Sequence, residues 1–250
     1  MENEKMAHRF LERKVLLPTI AAVFVLGGLT VYLFPTLKVI VPLRLKYTRN
    51  KSPRMYLVPK DRVVTDGVDS DSGYEYTSGN LRFRVPLQAI RTFDSEYAKA
   101  FVFADGKSVI VAGQKDGDGV LSALLGDDPE QAEAMRRFWG EENLRSEYAA
   151  VKTCLHATPD KGGIFSSRTE LMRLPSMLLL KAAYSPLGDV IYQYETKRFR
   201  GFQFGNPQQG RAVFVYLFDM SDRLYRIKLS ALDQKEIDLL LASVVITPRG

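Results

Sequence analysis

Apolar residues along this chain fall into three arrangements, and each predicts a different kind of element. The first has no period. From Val15 to Leu37, 23 residues pass without a charged side chain. A hydrocarbon core about 30 Å thick takes roughly 20 apolar residues as a helix, so the run is long enough to cross a bilayer with some tilt. A soluble core helix seldom stays uncharged on every face for that length. Pro18 falls in the first turn, where a missing N–H costs little, and Gly27 and Gly28 are tolerated in membrane helices. The run exceeds the about 7 to 15 apolar residues of a cleavable signal, and no small-x-small site follows Phe34, so an uncleaved anchor is expected. The only cysteine, Cys154, lies far downstream, which excludes a lipoprotein signal.

The second arrangement alternates, as strands half-buried in a sheet do. "YEYTSGNLRFRVP" places Leu81, Phe83 and Val85 on one face across a Ser78-Gly79-Asn80 turn. "KAFVFADGKSVIVAG" holds two β-rich runs around Asp105-Gly106, a pair suited to a two-residue turn because both positions accept positive φ. "DVIYQYETKRFRGFQFG" predicts a strand, and "GRAVFVYLFDMSDRLYRIKLSA" a hairpin turning near Met220 to Asp222. Arg198, Arg200, Arg223, Arg226 and Lys228 alternate with their apolar neighbours, which predicts one solvated sheet face.

The third arrangement has the helical period. Asp127-Asp128-Pro129-Glu130 combines a capping carboxylate, a proline at the first helical position and an acid in the first turn. Ala132, Met135 and Trp139 follow at helical spacing; after a break at Gly140, so do Leu144, Tyr148, Val151 and Leu155. These stripes read as packing faces. "LMRLPSMLLLKAAYSP" is apolar and interrupted by Pro175, a short buried element whose type the pattern leaves open. At the end, Asp233 caps a helix whose Ile237, Leu240, Leu241 and Val244 share a face that should cover the sheet.

The expected organisation is a tail (1–14), a transmembrane anchor (15–37), a basic juxtamembrane linker (38–72) and a single α+β domain (73–250) with an antiparallel sheet. Pro53 and Pro59 punctuate an extended "PRMYLVPKDRVV" in the linker, and "TDGVDSDSG" reads as a polar loop. Charge sharpens this picture. The tail's four Lys/Arg less three Glu give +1, and eight Lys/Arg less Asp61 give +7 for residues 38–62. Of the net +6, residues 63–250 therefore carry −2. The basic character belongs to the collar after the anchor, not to the domain, which argues against a nucleic-acid partner. The partners it suits are the lipid bilayer and anionic lipid headgroups, met by Lys38, Arg44, Lys46, Arg49, Lys51 and Arg54. Eight basic residues after the anchor against four before it favour a cytoplasmic carboxyl-terminal side, although that rule weakens for long translocated domains.

The order of elements, with its opening "YTSGNLRFRVP" hairpin, central helices, aromatic antiparallel hairpin and closing "KEIDLLLASVVIT", resembles the PsbP-like fold. The closing segment carries most of the likeness: an acid-Ile pair, a Leu pair and a Ser before a final apolar strand. The resemblance covers roughly Gly73 to Pro248. It implies an α-β-α sandwich and an extracytoplasmic, periplasmic placement from a single-pass inner-membrane anchor, against the local charge count. It implies no catalytic residues.

Candidate chemistry is sparse. Cys154 and His156 form Cys-Leu-His, but zinc wants three or four ligands and no second cysteine exists. Asp116 and Asp118 open as a calcium loop would, yet Val120, Leu121 and Asp127 occupy the places of the next oxygen ligand, the glycine and the closing glutamate. Gly106-Lys107-Ser108 lacks the first glycine of a phosphate loop, Phe101 standing there. No serine-elbow, zinc-protease or dinucleotide fingerprint occurs, and no cofactor is implied. Two functions remain: a noncatalytic domain that binds or scaffolds another envelope protein, or a hydrolase or small-ligand binder. The second would use a pocket between sheet and helices, with Asp116 and Asp118, or Glu141 and Glu142, as candidate lining.

Overall fold

The computed structural model describes residues 35–64, 73–113, 119–162, 167–186 and 189–247. The expected anchor lies outside them except for Pro35 to Leu37, and so do Asp116 and Asp118. Among the described residues no helix is long and apolar enough to cross a membrane.

The fold is mixed α+β. An eight-stranded sheet comprises β1 (Lys60–Asp61), β4 (Arg91–Asp94), β5 (Ala98–Val102), β6 (Ser108–Gly113), β7 (Ile191–Glu195), β8 (Phe199–Phe204), β9 (Val213–Asp219) and β10 (Leu224–Ser230), in the order β1-β7-β8-β9-β10-β6-β5-β4. Among the described residues only the β1–β7 pair is parallel. A second sheet orders β2 (Tyr74–Ser78), β3 (Leu81–Val85) and β11 (Val245–Ile246) as β11-β3-β2.

Both faces of the central strands are apolar, so both must be covered. On one face Phe101, Val109, Val111, Val215, Leu217 and Ile227 pack with Leu81, Phe83 and Val85 of β3. Helix α6 (Gln234–Ser243) closes that layer with Ile237, Leu240 and Leu241, followed by Val244, all wholly buried as their spacing predicts. A reciprocal capping box between Asp233 and Glu236 starts the helix, satisfying two otherwise orphaned N–H groups. On the other face Ile191, Phe202, Phe204, Tyr216 and Phe218 lie under α2 (Val120–Leu125), α3 (Pro129–Trp139) and α4 (Glu147–His156). Leu144, Tyr148, Val151 and Leu155 supply the helical side, and Tyr148 stacks on Phe202 at 5.3 Å.

Several expectations change in detail. Asp105 and Gly106 do take positive φ, but the strands stop pairing at Val102 and Ser108 because Phe103 turns into the core, giving a five-residue connection. The stretch around Pro175 is one helix, α5 (Arg168–Tyr184), begun by a Ser167/Glu170 capping box. "DVIYQYETKRFRGFQFG" is a hairpin, β7 and β8 turning at Thr196 to Arg198, rather than one strand. The solvated face is only partly so. Arg198, Arg223 and Lys228 are exposed, whereas Arg200 and Arg226 share a face with Phe202, Phe218 and Leu224 and are half-buried. Alternation assigns those side chains a face; it does not say how far the helices reach across it.

Carboxylates hold this helical layer to the sheet. Asp222, at φ +67 in the β9–β10 turn, accepts the N–H groups of Glu147 and Tyr148 at the start of α4 and stands 3.6 Å from Arg200. Glu147 is itself buried and accepts the N–H groups of Val120 and Leu121, capping α2 at 2.5 and 2.9 Å. Burial raises the Glu147 carboxyl above its usual range, offset by those two backbone donors. Asp222→Ala strands two helix donors and strains a left-handed position, so it should cost about 1–3 kcal/mol in chemical unfolding. Asp222→Asn, which tolerates that φ and keeps one of the two accepting oxygens, should cost less; an equal loss would show that a single retained acceptor contributes nothing.

Candidate functional site

The collar is the first surprise, because it is docked rather than free. Of the residues expected to form a linker (38–72), those described run from helix α1 (Pro35–Lys46) through a 3₁₀ turn at Pro53–Tyr56 to β1 and on to Val64. The apolar positions within the basic run decide this: Ile40, Leu43 and Met55 are buried, and Leu43 and Met55 pack with Leu174 and Leu178 of α5. Arg62 extends the attachment through its Nη2, which donates to both carboxylate oxygens of Asp238 on α6, at 2.9 and 2.7 Å.

The six predicted headgroup residues are brought onto this docked segment. Lys38, Arg44, Lys46, Arg49, Lys51 and Arg54 are all exposed. Arg44 also donates to the Gly162 carbonyl at 3.3 Å, and Arg49 lies 3.9 Å from Asp160 and over the Tyr56 ring. Both members of the Arg49–Asp160 pair are largely solvated, so it screens little of the positive field.

Lys181 pins the segment. It is 1% exposed, and its ammonium donates to three main-chain carbonyls: Leu57 at 2.6 Å, Ala157 at 2.7 Å and Met55 at 3.3 Å. Ala157 is the residue that ends α4, where the helix dipole favours a cation. Desolvation nevertheless pushes the amine down to about 8, with Lys161 adding to the effect. The sequence holds a signal for this group, since Lys181 is the one charge in the apolar stretch from Leu174 to Tyr184.

Beside this joint, α4 and α5 enclose an open groove of about 800 Å³. Lys152 and His156 of α4, Arg173 of α5, and Lys161 give it basic walls; Glu142 and Glu170 are its acids. Glu142 pairs with Arg145 at 3.4 Å and Glu170 caps its own helix. Glu141 is exposed and does not line the groove. His156 contacts Gln193 at 3.3 Å, and burial, with nearby lysines adding to it, lowers its pKa. Cys154 points away into the core, where burial pushes its thiol up to about 12. The Cys-Leu-His stretch therefore separates its two side chains, and no group of His, Cys, Asp or Glu able to hold a metal occurs among the described residues. A smaller cleft of about 420 Å³ opens at the sheet edge between Arg62, Lys152 and Glu195.

The helical layer stops short of one end of the sheet. A single cross-strand row runs Ile191, Phe204, Phe214, Lys228, Ile110, Ala100, Phe93 from β7 to β4. Ile191 and Phe204 are buried; Phe214, Ile110 and Ala100 are half-buried, and Phe93 is 57% exposed. Ile90 and Tyr97 stand exposed beside it. No sequence pattern marks this half, because its residues alternate as the covered ones do.

Compared with known proteins, the chain matches no family model and no curated protein.

Lys181→Met keeps the packing volume but leaves three carbonyls without their donor. The 53–57 segment should loosen, seen as faster tryptic cleavage after Lys51 and Arg54 in the folded variant. The pH dependence has a definite sign. The folded amine titrates near 8 and the unfolded one near 10.4, so unfolding takes up a proton between those values. Lys181 therefore contributes more stability as pH rises through that window, and the gap between wild type and Lys181→Met should widen from pH 8 to about 10. A gap that narrows would show that the ammonium, not the amine, is the favoured form.

Proposed function

We propose that this chain is a noncatalytic, membrane-tethered domain of the bacterial envelope that docks another envelope protein on the uncovered half of its large sheet. The observation that carries this is the row ending in Ile110, Ala100 and Phe93, where apolar side chains lie on a sheet face that no helix among the described residues covers. β4 is also an outer strand whose free edge offers backbone donors and acceptors to an extended segment, a common mode of peptide capture. The uncharged run to Leu37 supports the tether as a single transmembrane helix, and helices on both sheet faces fit a PsbP-like α-β-α sandwich on the periplasmic side. A photo-crosslinker at position 93 or 110 in intact cells should yield one defined adduct, and the same probe at exposed Arg137 none. An identical adduct pattern at all three positions counts against docking. Protease added to spheroplasts but not intact cells should digest the domain; protection until the inner membrane is lysed would place it in the cytoplasm.

A second reading, a small-ligand binder or hydrolase, draws support from the basic α4–α5 groove. It lies between helices rather than between sheet and helices. With Lys152, Lys161 and Arg173 on its walls it suits an anionic ligand rather than paired-carboxylate hydrolysis. Phosphate or citrate should then raise the melting temperature of wild type and not of Lys161→Gln/Arg173→Gln; no shift in wild type removes this reading.

A further inference from the structure

Beyond its first turn, α5 exposes an apolar stripe that starts at Met172. Met172 and Leu179, two turns apart, are 53% and 65% exposed, Ala182 and Ala183 are exposed beyond them, and Pro175 and Ser176 lie half-buried between. Lys181 turns inward, so no charge interrupts the stripe from Leu174 to Tyr184. A soluble helix would normally carry charged residues there. Neighbouring α1 also exposes Val41 and Leu45, at 46% and 70%.

We infer that the α5 stripe rests on the membrane interface, so that the domain lies against the bilayer rather than swinging from it. This rests on the reading that the run to Leu37 is an anchor. Three observations select lipid as the occupant. The apolar run ends where α1 begins, and α1 has 12 residues, so its far end lies within about 18 Å of the anchor's exit. α1 packs directly on α5 through Leu43, Leu174 and Leu178, which puts the two axes about 8–10 Å apart and α5 within reach of the surface. No acidic residue occurs from Pro35 to Pro59, while Lys38, Arg44, Lys46, Arg49, Lys51 and Arg54 surround the joint. An apolar stripe beside an exposed basic cluster matches the two attractions that hold interfacial helices on anionic bilayers. The Lys181 joint is what makes the geometry obligatory, because it couples α5 to the segment leaving the anchor.

The test uses the full chain in nanodiscs of zwitterionic lipid with and without phosphatidylglycerol, doped with lipid carrying a nitroxide near the glycerol. Buried Cys154 stays silent to labelling, so single cysteines at Leu179→Cys, Met172→Cys and, as a control on the bare sheet, Lys228→Cys can carry a fluorophore. Quenching at 172 and 179 should exceed that at 228 several-fold and rise with phosphatidylglycerol. Equal quenching at all three sites overturns the inference while leaving the anchor intact. A probe at 179 that is shielded yet unquenched, in discs holding two copies, would assign the stripe to self-association and also overturn it. A chain that fails to enter nanodiscs at all refutes the anchor reading itself, an outcome separate from the other two.

Discussion

The structure depends on one constraint: its central strands are apolar on both faces. Val213, Val215 and Leu217 point one way from β9, and Tyr216 and Phe218 the other, all buried. A sheet of this kind cannot leave either face in water, since each large side chain costs about 1.5–3 kcal/mol when exposed. Two covering layers follow from that requirement. The chain meets it with α6 and the small sheet on one side and the α2–α5 group on the other. Gly201 belongs to the same logic: a side chain there would drive into the Tyr216 carbonyl, so only glycine lets β8 and β9 pair at that point.

Covering layers must be fastened as well as attracted, because apolar contact has no direction. The fastening here is polar and buried. Asp222 in a sheet turn takes the first N–H groups of α4, and Glu147 of α4 takes those of α2, so sheet, helix and next helix are linked through successive carboxylates. Lys181 works in the opposite sense, offering protons to carbonyls of the collar and of the α4 end. Leaving any of these groups buried without its partner is costly, which makes each joint specific to one arrangement.

In the proposed reading those joints bear on function because they would turn a tether into a fixed mount. A collar bound only at its ends would let the domain sample many orientations, whereas α1 packed on α5 and Arg62 paired with Asp238 leave few. In the proposed arrangement the helix side nearest α1 meets lipid, and the bare end of the sheet offers Phe93 and Ile110 to a protein. The basic α4–α5 groove lies beside the same joint, so the second reading shares the mount.

Much of this was legible in local pattern. The capping residues Asp128 and Asp233, the β2–β3 alternation and the stripe from Leu144 to Leu155 follow from local rules and periods of two and 3.6, which act within a few residues. The β2–β3, β5–β6 and β9–β10 hairpins were legible for the same reason, whereas β7 and β8 read as one strand. The run's length and the collar's charge come from composition, and they determined the expectation of an anchor. What only the tertiary structure decided involves groups far apart in the chain. Lys181 is a stray charge in an apolar helix until Leu57, Met55 and Ala157 converge on it. Arg200 and Arg226 alternate as solvated residues do, yet the helical layer half-covers them, while Ile110 and Phe93 follow the same alternation and lie beyond its reach. A side chain's face is set by its neighbours along the strand; its burial is set by where another element ends, and no local period records that.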